Sequence, residues 1–213
     1  MRFRRIGKSN IGDHHWLQPD DQCYYIKEYT SRKDFNYNKT NKLVGDLKKW
    51  PTCLDEHEHK KSAILQCSRW LSKAINHEGL TTATLVPVPP SKAKADREYD
   101  DRMLRVCEGV CASFPVDMRE LVLQRESTFT THKNQNRNRG SSDNRFNNLY
   151  ENYRVAEKGT EPRPSTIGIV DDILTTGAHF KAMKLILKKR FPDVPIFGFF
   201  ITRRIFPDDE VPD

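Results

Sequence analysis

The sequence has 213 residues, 36% hydrophobic and 31% charged, with a mean hydropathy of −0.77, which suits one polar domain with a buried core and long wet loops. Its formal net charge of +7 favours anionic ligands such as phosphates, pyrophosphate or nucleic acid, and fits a generally basic surface equally well. No apolar run approaches the ~18 residues of a membrane span, and no apolar stretch follows Met1-Arg2-Phe3-Arg4-Arg5 as in a signal peptide. Five cysteines without a C-x-x-C argue against a disulfide framework or zinc ribbon and for reduced thiols in a cytoplasmic protein.

In chain order, residues 1–21 are polar and basic and read as an arm or irregular lead-in. Gln22–Tyr29 alternates aromatic and charged residues, the pattern of an exposed strand. Residues 38–50 give a turn and a short helix ending at Trp50-Pro51, and Asp55–Lys61 reads as a charged loop. Ser62–Asn76 is an amphipathic helix, with Ile64, Cys67 or Ser68, Leu71 and Ile75 at helical spacing and Gly79 just beyond the end. Ala83–Val88 is a short buried strand that runs into a proline-broken loop. Asp100–Phe114 is a second helix, with Met103, Cys107, Val110 and Phe114 on one face, and Leu121–Leu123 is a short strand. Residues 126–148 hold almost no apolar side chains and read as a long loop, functional or disordered. Ile167–Val170 is a central strand, Ala178–Arg190 a helix with Phe180, Met183 and Leu187 inward, and Ile196–Ile201 another buried strand. The acidic, proline-rich tail from Pro207 is expected to fray. Alternating strands and helices predict an α/β domain with a mainly parallel sheet.

The chemistry concentrates in Ile167–Ala178. An apolar strand runs into Asp171-Asp172, then a Thr175-Thr176-Gly177 turn, then a helix. Ligands of open α/β sheets sit at the carboxyl ends of strands, and N–H groups at a helix start attract anions. Two carboxylates would repel a phosphate, so they suit sugar hydroxyls or a nearby magnesium ion. The combination reads as a site for a ribose 5-phosphate. A solvated turn with Thr175 as helix cap is the plainer reading. A P-loop is excluded: ahead of Gly7-Lys8-Ser9, Arg2 occupies the position of the first glycine.

This segment resembles the signature of the type I phosphoribosyltransferases, and most of the chain is similar to their ComF-like branch. Tyr24-Tyr25 with Glu28-Tyr29-Thr30 resembles that branch's opening strand, Leu85–Lys92 its second block, and Gln135, Arg145, Asn148 and Tyr153 its Gln…Arg-x-x-Asn…aromatic pattern. The first gap of that pattern is longer here. The chain lacks the branch's Cys-rich zinc module and has Arg97-Glu98-Tyr99-Asp100-Asp101 where an Arg-Gly-Phe-Asn-Gln block is usual. That departure bears on the branch's usual partner or substrate and leaves the phosphoribosyl pocket untouched.

The resemblance implies a type I phosphoribosyltransferase fold: a mainly parallel central sheet flanked by helices, with an N-terminal arm and hood at 1–50, a core at 51–206 and a flexible tail at 207–213. It implies phosphoribosyl pyrophosphate with Mg2+, and transfer of the phosphoribosyl group to an unidentified acceptor with release of pyrophosphate. Asp171 and Asp172 would hold the ribose hydroxyls, and Thr175, Thr176, Gly177 and Ala178 the 5-phosphate. Ser91 and Lys92 would hold pyrophosphate, unless they form only a proline-stiffened surface turn. Lys133, Arg137, Arg139 and Arg145 sit on what would be a lid, where one or two of them would meet pyrophosphate; the same loop suits RNA or DNA phosphates. A homodimer is a further expectation. The rival class is a non-catalytic or regulatory member in a nucleic-acid-associated machine, for DNA uptake or as a defence or toxin effector, acting through protein or nucleic-acid partners.

Lesser candidates are Cys53 with His57 and His59, a metal group one ligand short; Cys107 and Cys111, one helical turn apart and better read as core; and His179, beside the cradle or facing solvent.

Overall fold

The computed structural model describes residues 1–49, 54–128 and 142–207. Five strands form one sheet in the order β1 (Arg4–Arg5), β2 (Gln22–Thr30), β7 (Ile196–Ile205), β6 (Ile167–Leu174) and β3 (Thr84–Pro87). β2, β7, β6 and β3 are mutually parallel, and β1 adds an antiparallel edge. Between β3 and β6, β4 (Val122–Gln124) and β5 (Tyr153–Val155) make a separate antiparallel pair.

Neighbouring residues along a strand point to opposite faces, and here both faces are apolar. Val86, Ile169 and Phe200 join one core with Phe180, Met183 and Leu187 of helix α5 (Ala178–Arg190). Leu85, Val170 and Phe199 join the other, with Leu71 and Ile75 of α2 (Leu54–His77) and Val106 and Val110 of α3 (Arg102–Cys111). The result is a mixed α/β domain whose central, mostly parallel sheet is flanked by helices. Close approach is built in: a Cβ on Gly168 would lie 2.4 Å from the Phe199 ring. No helix among the described residues is long and apolar enough to cross a membrane.

Several sequence-based boundaries move. The lead-in before residue 21 is not merely an arm: it contributes β1 and a 3-10 turn at Ile11–Asp13, and Ile6, His14, Leu17 and Asp21 are buried. β2 is not an exposed strand. It lies inside the sheet, with Cys23, Tyr25, Ile26 and Thr30 buried, because its aromatic and polar residues alternate between two covered faces. The expected charged loop at Asp55–Lys61 is the first part of α2; Glu58 and Lys61 are exposed, while Lys60 is buried. The C-terminal part of the expected long loop is helix α4 (Ser142–Asn152), which packs Phe146, Leu149 and Tyr150 against the α5-side core. α1 (Lys39–Leu47) matches expectation and is capped by Asn38, whose side chain accepts the Asn41 N–H at 2.8 Å. Trp50-Pro51, Cys53 and the tail beyond Pro207 lie outside the described residues.

Candidate functional site

β6 does not stop before its acids. It continues through Asp171 and Asp172 to Leu174, with Asp171 opposite Phe200 and Ile173 opposite Thr202 of β7. The pairing anchors the acid segment, and Thr202 Oγ1 donates to the Asp172 carbonyl at 3.1 Å. The turn that follows ends at Gly177, whose φ of +83° suits glycine, and a Cβ there would come within 2.8 Å of the Leu17 side chain.

Helix α5 starts without a side-chain cap, and its first backbone bond runs from the Lys181 N–H to the Gly177 carbonyl. Among the described residues, the N–H groups of Ala178, His179 and Phe180 are therefore left for water or an anion. The turn is braced from behind by the lead-in. The Trp16 N–H donates to the Thr176 carbonyl at 2.8 Å, and His14 Nδ1 lies 2.5 Å from the Thr175 carbonyl oxygen. A carbonyl only accepts, so Nδ1 carries the proton; burial lowers the His14 pKa and favours this neutral form. These braces escaped the sequence reading, although Trp16-Leu17 was the one apolar pair in a polar lead-in.

Facing this turn across a cleft of about 470 Å³ are Ser91 and Lys92, in the loop after β3. The Ser91 carbonyl accepts from the Gln124 amide and the Thr128 N–H, both at 2.8 Å, which fixes the loop against β4. Lys92 lies 3.3 Å from Glu98 and 3.8 Å from Asp96. Asp171, Asp172, Thr175 and His179 line the same cleft, so these predicted residues are brought together with Ser91 and Lys92. Thr176, Gly177 and Ala178 form the turn and helix start beside it. Lys133, Arg137 and Arg139, with Gln135, fall outside the described residues, as does the Arg145 side chain.

The largest addition is Arg102, at the start of α3. Its Nε and Nη2 reach one oxygen of Asp172 at 3.1 and 2.9 Å, and Lys48, which ends α1, lies 3.5 Å from that oxygen. Asp100 holds Arg102 in turn, accepting from Nη1 at 2.7 Å, and buried Lys60 donates to Asp100 at 2.8 Å. Glu98, Asp100 and Arg102 all line the cleft. The Arg97–Asp101 block, expected to leave the pocket untouched, is therefore wired to the acid pair. Only the fold brings α3 to β6.

The two acids are electrically unlike. Burial opposes ionisation of Asp172, yet Lys48 and Arg102 outweigh it and hold the carboxyl well below the usual carboxylate range. Asp171 makes no ion pair among the described residues and accepts the Asp172 N–H at 2.8 Å. Burial and the Asp172 charge push it up to about 7. His179 Nδ1 shares a 2.6 Å hydrogen bond with the hydroxyl of buried Tyr153, and burial lowers its pKa.

Such a site combines an anion-attracting helix start, a carboxylate that makes no ion pair among the described residues and the cations Lys48, Lys92 and Arg102, an arrangement able to take an anion beside a hydroxyl donor. For magnesium the fit is one of shared ligation: Asp171 is the available protein carboxylate, and ligand oxygens would supply most of the shell. Among the described residues no group of three metal-binding side chains exists. His57 and His59 are exposed and two apart on α2, so they diverge rather than converge on a metal. Cys107 is buried in the α2–α3 core and Cys111 packs against it, as expected. Compared with protein-family models and with curated protein sequences, the chain matches none.

Proposed function

We propose that the protein is a phosphoribosyltransferase of the type I fold that binds phosphoribosyl pyrophosphate and transfers its phosphoribosyl group to an acceptor, releasing pyrophosphate. One observation carries the reading. The acid pair, the uncapped start of α5 and the Ser91-Lys92 turn meet in one cleft at the carboxyl ends of parallel strands. That cleft volume lies within the ~300–1,000 Å³ usual for small-ligand sites.

In this reading the N–H groups at the start of α5, with the Thr175 and Thr176 hydroxyls, take the 5-phosphate. Asp171 accepts from a ribose hydroxyl. Arg102, Lys48 and Lys92 face the departing pyrophosphate, and their fixed positions place positive charge where negative charge develops. Magnesium, when bound, adds Lewis-acid charge on the pyrophosphate oxygens. His14, Leu17 and Trp16 act through the turn and touch no substrate.

A second reading, a non-catalytic member that uses the pocket as a sensor, is favoured by one feature. The charges of Asp172 and Lys92 are already matched by residues of the chain itself. Calorimetric titration with phosphoribosyl pyrophosphate, with and without magnesium, tests both. Saturable binding that magnesium strengthens and Asp171→Asn/Asp172→Asn abolishes is expected. No binding by folded wild-type protein sinks both readings, and binding without pyrophosphate release toward any base or amine selects the sensor.

A further inference from the structure

A second cavity of about 210 Å³ lies on the far side of the β3 loop, between that loop, α3 and the β4–β5 pair. The two cavities share Val88, Pro89, Pro90, Lys92, Asp100 and Met103 as a partition. Beyond the partition the chemistry changes. Pro87, Tyr99, Leu104, Val122 and Leu123 give it an apolar part, and charged side chains line the rest.

Among the described residues, the charges around it are matched, with two exceptions. Lys94 is 2.5 Å from Glu120, Asp100 is held by Lys60 and Arg102, and Asp101 lies 3.9 Å from Arg105. Arg125 and Arg154 also line the cavity, and neither side chain has an ion-pair or hydrogen-bond partner among the described residues. Arg154 stands opposite Leu123, and Arg125 follows Leu123 by two residues, so both side chains leave the same face of the β4–β5 pair. Tyr99 adds a hydroxyl with no hydrogen bond among the described residues. Burial, with the charges of Glu120 and Asp101, pushes its pKa up to about 12, so it stays a donor.

We propose that this cavity is a second small-molecule site, separate from the cleft, for a small organic anion carrying one flat apolar ring. The ring packs against Tyr99, Leu104 and the prolines. The anionic group meets Arg125 and Arg154, whose planar forks suit carboxylate or phosphate oxygens. The volume, under half that of the cleft, excludes a nucleotide and admits a ring with its headgroup. The proposal is independent of what the cleft binds.

The test is ligand-observed NMR on the full chain, with phenyl phosphate and benzoate as probes and inorganic phosphate and phenol as controls. Saturable binding of at least one probe is expected, tighter than either control. Affinity should fall roughly tenfold or more in Arg125→Ala/Arg154→Ala, because charge-assisted hydrogen bonds are lost at exposed positions that do not hold the fold. Leu104→Trp, which fills the cavity, should abolish binding, with folding of both variants checked by thermal unfolding. Pyrophosphate, which suits the cleft, should not displace the probe. The proposal is overturned if neither probe binds at millimolar concentration, if the double variant binds as well as wild type, or if pyrophosphate displaces the probe. Phenyl phosphate against benzoate then decides which headgroup the site takes.

Discussion

One wall of the cleft is the single segment Asp171–His179, which offers main-chain N–H groups and a turn. The facing wall is gathered from α1, the β3 loop and α3, and offers side-chain charge. The first is fixed by backbone conformation and the pairing of β6 with β7. The second is fixed by the chain of ion pairs Lys60–Asp100–Arg102–Asp172–Lys48. A wall of the first kind yields to changes in φ or sterics. A wall of the second kind yields to loss of charge, since removing one partner strands the next.

The largest effect is expected at the side-chain wall. Arg102→Ala leaves Asp172 with Lys48 alone and Asp100 with Lys60. The loss should be roughly 2–3 kcal/mol in urea unfolding, at or just below the ~3–5 kcal/mol of a fully buried pair because the Arg102 side chain is 23% exposed. Arg102→Lys keeps the charge without the fork and should lose about half as much. Equal stability of all three proteins would mean that packing, not ion pairing, holds this wall.

Gly177→Ala tests the main-chain wall. The left-handed φ alone costs about 1 kcal/mol, and contact with Leu17 adds to it, so roughly 1–2 kcal/mol is expected. Gly79 is the internal control: its φ is +67° with nothing within 4 Å, so Gly79→Ala should show the backbone cost alone. Adding Leu17→Ala to Gly177→Ala should relieve only the steric part. If both alanine variants cost the same, the Leu17 brace does not constrain the turn.

The smallest effect lies between the walls. Asp171 has a folded value of about 7, above the ~3.9 of an unfolded chain. A raised value means that its stability is fully present below about pH 4 and is lost as pH rises toward 7. Asp171→Asn should therefore match wild type near pH 4 and exceed it at pH 8 by roughly 1 kcal/mol or more. Unfolding in urea at both pH values decides this; a wild-type advantage at pH 8 would show that Asp171 is stabilised as a carboxylate.

Helix α5 was legible because its apolar period is local, and both ends coincide with expectation. The acid pair and the Thr-Thr-Gly turn were legible because residue type and order carry their meaning. The exposed strand at 22–29 was misread because alternation looks alike whether the second face meets water or another layer. The charged loop at 55–61 was misread because a helix end with acids and lysines has no apolar face of its own to betray it. Lys48 and Arg102 gave no signal, as a lysine at a helix end and an arginine at a helix start are ordinary surface choices.

The sequence by itself determined the strand, acid pair, glycine turn and helix of the main-chain wall, because each follows from the conformational preferences of neighbouring residues. Only the tertiary structure decided which charges the acids meet. Arg102 lies 70 residues from Asp172 and His14 lies 161 from Thr175. Coulomb attraction and hydrogen bonding act over a few ångströms of space, and distance along the chain does not fix distance in space.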